Sequence, residues 1–401
     1  MTIRTFPNLA VSSISANFAD QMMLALLPLV LVAAGAGTGT VSTVVAAHAA
    51  AWLVVSMPVG AYADAVSRRT IMTVGALAIV IGAASGGIAL GLNVAPPWLL
   101  ALCAFTIAAG MVMQILSVFA LMPRSVESTK LASANAFLEF GRALVSIAAP
   151  IVAAALVTRG FGALGFGLAL MGGLLALAAA RLLPPEPRPA ATRQALLQSI
   201  RDGASFVLGE PILRAIAFCA IAWNLAFFAL TAVFAPYATA MLGMSIADIG
   251  NAWSVYGIGL LLGSLAASPM IARLPTGFVF IFGPAISCAA LVVMLAGART
   301  GSTWPVAVAF FALGFGPMTW LVLQTSVRQI VTPNALMGRV GATLSTAIYG
   351  VRPLGALAAG GVASLFGTEA ALWLSAALFF VSCGVLLASP AARLRQMPAA
   401  A

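Results

Sequence analysis

With 401 residues, 62% of them hydrophobic and 7% charged, the chain has far too few charges to cover a water-soluble fold, which carries roughly a quarter of its residues as charges. Its mean hydropathy is +1.11, so its apolar surface is expected to face lipid. The net charge of +10 does not indicate nucleic acid, because the basic residues fall in short gaps between apolar runs and not on a polar, aromatic-flanked face.

A membrane-spanning helix needs about 20 mostly apolar residues. Cutting the chain at charges, prolines and glycine-rich gaps predicts six runs in the first half, at about 8–34, 39–62, 70–92, 97–122, 132–157 and 161–183. The first run is too long and too polar for a cleavable signal peptide and is expected to stay as a helix. Ser13, Asn17, Asp20 and Gln21 share one of its faces. Ionisable groups inside spanning helices cost about 2.5–3.5 kcal/mol each and need an explanation. Burial disfavours a carboxylate's charge, which suits Asp20 to taking up and releasing a proton. The alternative is a structural carboxyl bonded to Asn17 or to another helix. The second run holds His48, the sole histidine, read as a packed polar residue sooner than a proton relay. After it comes the loop Gly60-Ala61-Tyr62-Ala63-Asp64-Ala65-Val66-Ser67-Arg68-Arg69. In the fifth run Glu139 and Arg142 stand three apart and can pair on one face. That pairing leaves Asp20 as the freer acid.

The stretch from Pro184 to Pro211 is the long polar connector between halves. Its Pro184-Pro185-Glu186-Pro187-Arg188-Pro189 start is too proline-rich for a helix. Beyond it, Leu196, Leu197, Ile200, Phe206 and Val207 alternate with polar residues, predicting an amphipathic helix along the membrane surface or an ordinary connector helix. Six further runs follow at about 212–239, 248–271, 276–297, 303–326, 340–365 and 369–389. The predicted organisation is therefore an all-α membrane protein with a six-helix bundle over 1–183, a linker over 184–211 and a second six-helix bundle over 212–401. Cys103, Cys219, Cys288 and Cys383 each fall in a separate run without metal-ligand spacing. No metal site and no cofactor are expected.

Charge fixes the predicted orientation. With both termini cytoplasmic, fifteen of the 19 basic residues fall inside; only Arg159 and Arg299 fall outside, and Arg142 and Arg352 lie within runs. The halves also echo one another: Arg124…Leu131-Ala132-Ser133-Ala134-Asn135…Gly141-Arg142 is matched by Arg328…Leu336-Met337-Gly338-Arg339-Val340…Gly350-Val351-Arg352-Pro353. Six plus six helices with such an echo suggest internal duplication.

The loop after the second run resembles the signature loop of the major facilitator superfamily at Gly60, Asp64, Arg68 and Arg69. Ala65 stands where a basic residue is usual and Ser67 where glycine is usual. The resemblance is to the exporter branch with siderophore and macrolide efflux pumps and lysophospholipid translocators. It extends over Ala19-Asp20, Leu27-Pro28, Leu131–Asn135, Gly203…Phe206…Pro211 and Arg328-Gln329…Pro333…Gly338-Arg339…Gly350…Arg352-Pro353-Leu354-Gly355. Antiporters of the family often place glycines around the fifth-helix proline; here the segment is Ala148-Ala149-Pro150-Ile151-Val152-Ala153-Ala154.

This resemblance implies the twelve-helix fold and a cytoplasmic gate in which Asp64 latches against the eleventh helix while Arg68 and Arg69 hold the loop and lipid phosphates. It implies a central cavity lined by the first helix, with Asn17, Gln21, Gln114, Asn224, Tyr256, Trp320, Gln324 and Arg352 as candidate cargo contacts and Asn251, Trp253 and Tyr349 near them. Arg352 is expected to hold an anionic group or to pair with Asp20 or Glu139. Proton coupling falls to Asp20, with Glu139 and Arg142 beside it. The implied function is proton-coupled export of a small amphiphilic or hydrophobic compound by a monomer in the bacterial cytoplasmic membrane, with lipid as its surroundings. An importer, an uncoupled facilitator and a lipid flippase remain open. An intramembrane enzyme fails on chemistry: one histidine, no HExxH and no G-x-S-x-G. A sensor has no signalling domain to support it.

Overall fold

The computed structural model describes residues 5–62, 66–127, 130–184, 196–297, 302–333 and 336–398. Apart from turns and a 3-10 turn at Pro390–Arg393, these residues are α-helical. The first half contains α1 (Thr5–Ala33), α2 (Thr38–Tyr62), α3 (Arg68–Gly91), α4 (Pro97–Ser125), α5 (Leu131–Thr158) and α6 (Gly162–Arg181). The connector supplies α7 (Leu196–Gly209). The second half contains α8 (Pro211–Leu242), α9 (Ile246–Arg273), α10 (Thr276–Gly297), α11 (Trp304–Val331), α12 (Met337–Gly350), α13 (Arg352–Phe366) and α14 (Thr368–Leu387). Among the described residues twelve spans are long and apolar enough to cross a membrane, α12 and α13 together making one of them. Large side chains such as Ile81, Ile88, Leu102, Phe119, Trp373 and Phe380 remain exposed on them. That is the surface of an integral membrane protein, because hydrocarbon and not water covers it.

Local sequence starts and stops these helices. Ser67, where the family pattern has glycine, caps α3 by accepting the Thr70 N–H at 3.2 Å. Pro211 opens α8 behind Glu210, whose carboxylate accepts the Leu213 N–H at 2.6 Å. Ser245 and Asp248 form a reciprocal capping box at the start of α9. Gly243, at φ +61°, closes α8 in the left-handed conformation.

The chain divides into two compact units, Met1–Thr192 and Arg193–Ala401. In the first, α1 packs on α5 and α6, α3 on α4 and α6, and α2 on α4. The second repeats this: α8 packs on α13 and α14, α10 on α11 and α14, and α9 on α11. The echo in the sequence is therefore an echo in packing. One close crossing shows its chemistry. A Cβ on Gly75 of α3 would lie 2.8 Å from the Gly110 carbonyl oxygen of α4, and a Cβ on Gly110 would strike the Gly75 carbonyl oxygen. Small residues let the two backbones touch, which is how helices associate where water supplies no hydrophobic drive.

The eleventh run, expected at about 340–365, forms one span at Arg339–Phe366, but its helix breaks at Val351. Pro353 has no N–H and its ring would collide with the Tyr349 carbonyl, so the helix stops and restarts there. For the connector helix α7, the contacts of its described side chains favour the ordinary connector of the two readings left open. Phe206 and Val207 pack with Leu213, Val340 and Leu344, Gly203 lies against the backbone of Arg339, and Asp202 accepts from Arg339 at 2.9 Å.

Candidate functional site

The polar face of α1 is the organising element of the first unit. Asp20 and His48, on α1 and α2, meet at 2.9 Å between Oδ1 and Nε2. Their side chains are only 14% and 8% exposed. Asp20 is thus bonded to another helix, the alternative that the sequence left open, and the packed histidine His48 is its partner. The spacing of 28 residues follows no local rule, so nothing in the sequence pointed to this pair. His48 Nδ1 and Asn17 Oδ1 are both buried without a hydrogen-bond partner among the described residues.

Further along the same face, Gln21 Nε2 donates to Ser146 Oγ on α5 at 3.2 Å. Glu139 and Arg142 of α5 pair as predicted, at 2.6 Å. Arg142 is 14% exposed and Glu139 55%, so the guanidinium points inward while the carboxylate keeps water. Arg142 Nη2 also reaches Ser13 Oγ at 3.5 Å, and its guanidinium carbon lies 5.9 Å from the Phe119 ring centroid. Asp20, Gln21 and Arg142 therefore belong to one polar seam joining α1, α2 and α5.

Gln114 is elsewhere. It is fully buried, its Nε2 donates to the Met72 carbonyl at 2.8 Å, and its Oε1 lies 2.9 Å from Ser12 Oγ. Ser12 Oγ in turn sits 3.1 Å from the Ala176 carbonyl oxygen. The group ties α1, α3, α4 and α6 together and offers nothing to a cargo, which corrects its place among the cavity residues. Gln114→Leu is expected to cost about 1–3 kcal/mol of stability by removing two buried hydrogen bonds, those with the Met72 carbonyl and the Ser12 hydroxyl. A thermal melt in detergent reads that loss, and transport per folded molecule stays unchanged.

In the second unit the fifth-span arginine repeats the theme. Arg352 Nε donates to Asn224 Oδ1 of α8 at 2.8 Å. Its guanidinium carbon stacks 4.2 Å from the Tyr349 ring centroid and 4.8 Å from that of Phe228. In each unit, then, an arginine on the fifth span bonds a polar side chain on the first. Its i−3 neighbour differs: Glu139 in one unit, Tyr349 in the other. Tyr256 belongs to an aromatic cluster, 5.4 Å from Phe227 and 5.8 Å from Trp253, with Trp223 stacked on Phe227 at 4.9 Å. Trp223 Nε1 donates to Ser287 Oγ at 3.1 Å. Trp320 is a core residue among Ile216, Val279, Phe280 and Leu323, which corrects its assignment to a cavity wall. Gln324 is 5% exposed and donates to its neighbour Thr325 at 2.9 Å, leaving its own Oε1 without a partner. Asn251 is exposed.

Of the gate loop, Gly60 closes on the last turn of α2 and Asp64 lies outside the described residues. Arg69 Nη2 donates to the Arg181 carbonyl at 2.6 Å, at the C-terminal end of α6. A cation there satisfies a terminal carbonyl and the negative end of the helix dipole, a role that the expected lipid-phosphate contact did not include. Among the described residues, no three His, Cys, Asp or Glu side chains gather in a way that could hold a metal ion.

Residues 9–245 match the family model of the Major Facilitator Superfamily. Among curated proteins, the enterobactin exporters EntS of Escherichia coli O1:K1 and of Shigella boydii serotype 18 are each 26% identical over 261 and 256 residues respectively. Each match takes 63% of this chain and 59% of the relative, so the chain spans about three-fifths of the length of the curated relatives it matches. Among solved structures, a POT family transporter in complex with 5-aminolevulinic acid superimposes with a TM-score of 0.76 at 16% identity, over 96% of both chains. A bacterial homolog of the human lysosomal transporter Spinster, inward-facing and unoccupied, gives 0.70 at 14% identity, over 97% of both. At such identities these likenesses show a shared fold.

Proposed function

The chain belongs to the Major Facilitator Superfamily, and on that premise we propose that it is a secondary active transporter exporting a small amphiphilic or hydrophobic compound in exchange for protons by alternating access. One observation supports the coupling above all: a carboxyl group, that of Asp20, is buried inside a spanning helix. Burying an acid in hydrocarbon is costly, and a group that alternates between protonated and ionised forms gives that burial a use. Asn17, Gln21, Asn224, Tyr256 and Arg352 remain the candidate cargo contacts. Gly60, Asp64, Arg68 and Arg69 act as the cytoplasmic gate, with both chain termini on that side.

The alanine-rich turn of α5 is compatible with antiport. Ala149 and Ala153 are fully buried there, so the segment packs as closely as alanine permits. The monomer is the working unit and the bacterial inner membrane its site. Cargo is best found by a growth screen of a pump-deficient strain expressing the chain against toxic amphiphiles, with enterobactin, the compound in the relatives' names, tried beside them. Everted vesicles then read coupling. Accumulation of the identified compound should collapse when a protonophore removes the gradient. Transport that continues undiminished after that collapse would make the chain an uncoupled facilitator and end the coupling proposal.

A further inference from the structure

We infer that Asp20 and His48 form a single proton-binding unit, and that the coupling proton arrives at the imidazole Nδ1. This rests on the export reading above, which by itself needs only a carboxyl.

The argument is an accounting of hydrogen bonds in a buried pair. Nε2 and Oδ1 stand 2.9 Å apart with both side chains nearly out of reach of solvent. A carboxylate only accepts, so with Asp20 ionised the shared proton belongs to Nε2 and the imidazole is neutral, its Nδ1 carrying a bare lone pair. Nδ1 is buried without a partner among the described residues, and so is Asn17 Oδ1 one turn earlier on α1. In this state the pair carries a net charge of −1 inside a spanning segment, which is the unfavourable condition for a buried ion. One proton delivered by hydronium, which leaves as water, forms an N–H bond at the Nδ1 lone pair and turns the pair into imidazolium and carboxylate with no net charge. A second proton would have to go to the carboxylate and would leave the cation unpaired. The pair is thus built to hold one exchangeable proton.

Among the described residues, the helices around the pair supply no other partner for His48. α2 carries no other charged residue among those described and packs on α1 and α4. α4 contributes Cys103, buried, and Arg124 in its last turn. α5 contributes Glu139 and Arg142, which hold one another. α6 has Arg181 in its last turn, and α3 has Arg68 and Arg69 in its first, Arg69 being bonded to the Arg181 carbonyl. The acid that faces His48 is Asp20.

His48 is the chain's one histidine, so histidine labelled with nitrogen-15 reports on it alone. The experiment is nitrogen NMR of the full chain in lipid nanodiscs, from about pH 5 to about pH 8, the window in which imidazoles change charge. The wild type is expected to show Nε2 protonated and Nδ1 bare at the alkaline end, and a second N–H at Nδ1 on acidification. Asp20→Asn is expected to lose that transition from the window, and Asp20→Glu, which restores a carboxylate, to keep it. A wild-type imidazole that holds one tautomer throughout overturns the inference, as does an Asp20→Asn protein titrating like the wild type. No cargo is needed for this reading. A titrating pair in a protein that transports nothing would defeat export alone, and a silent imidazole in a working transporter would defeat the pair alone.

Discussion

Asp20→Asn is expected to lose gradient-driven transport by about tenfold or more while keeping exchange of cargo across vesicles at equal pH. Asparagine has nearly the shape of aspartate, and its carbonyl oxygen can still accept the N–H that His48 presents at 2.9 Å. The contact between α1 and α2 should therefore survive. The exchangeable carboxyl does not. A ligand or proton shifts a conformational equilibrium only through a difference in its affinity for the two states, and an amide that binds no proton has none to offer. Stability should hold or rise, since the variant no longer buries an ion. Counterflow and gradient-driven uptake, measured on one vesicle preparation with the compound from the growth screen, separate the two outcomes. Full gradient-driven activity in the variant would remove Asp20 from coupling.

Gly110→Val is expected to abolish the folded protein. A side chain at residue 110 meets the carbonyl oxygen of Gly75 and the side chain of Ile79 on α3. Ile79 can change rotamer, but a backbone carbonyl held in its own helix cannot. α3 and α4 would have to separate along a principal crossing of the first unit, with loss of packing on both sides. Overpacking a core costs about 1–3 kcal/mol and more where backbone must move, which is a large share of the ordinary stability of a protein domain. Size-exclusion chromatography in detergent should show aggregate in place of a single symmetrical peak. Gly37→Ala, at a glycine with open space about it, serves as the control and should run like the wild type. A well-folded Gly110→Val protein would show that the crossing tolerates separation.

Hydropathy is a local property, so the number of spanning helices and their approximate limits were legible from composition alone. The Glu139–Arg142 pair was legible too, because its two members stand three residues apart. The break at Val351 had its cause in plain view at Pro353, yet the run around it stays apolar and so read as one helix. Gln114 and Trp320 went to the wrong surroundings, since hydropathy places a residue in a helix without saying which way it faces.

Asp20 shows the division most sharply. From the sequence came the conclusion that an acid stands inside a spanning helix and must have a reason to be there, because hydrocarbon penalises charge at any position on the helix. That His48 is its partner came only from the tertiary structure. The contact depends on the rotation of α1 and α2 about their axes and on the way their side chains interlock, and these are set by packing over whole helices, which no spacing of 28 residues encodes.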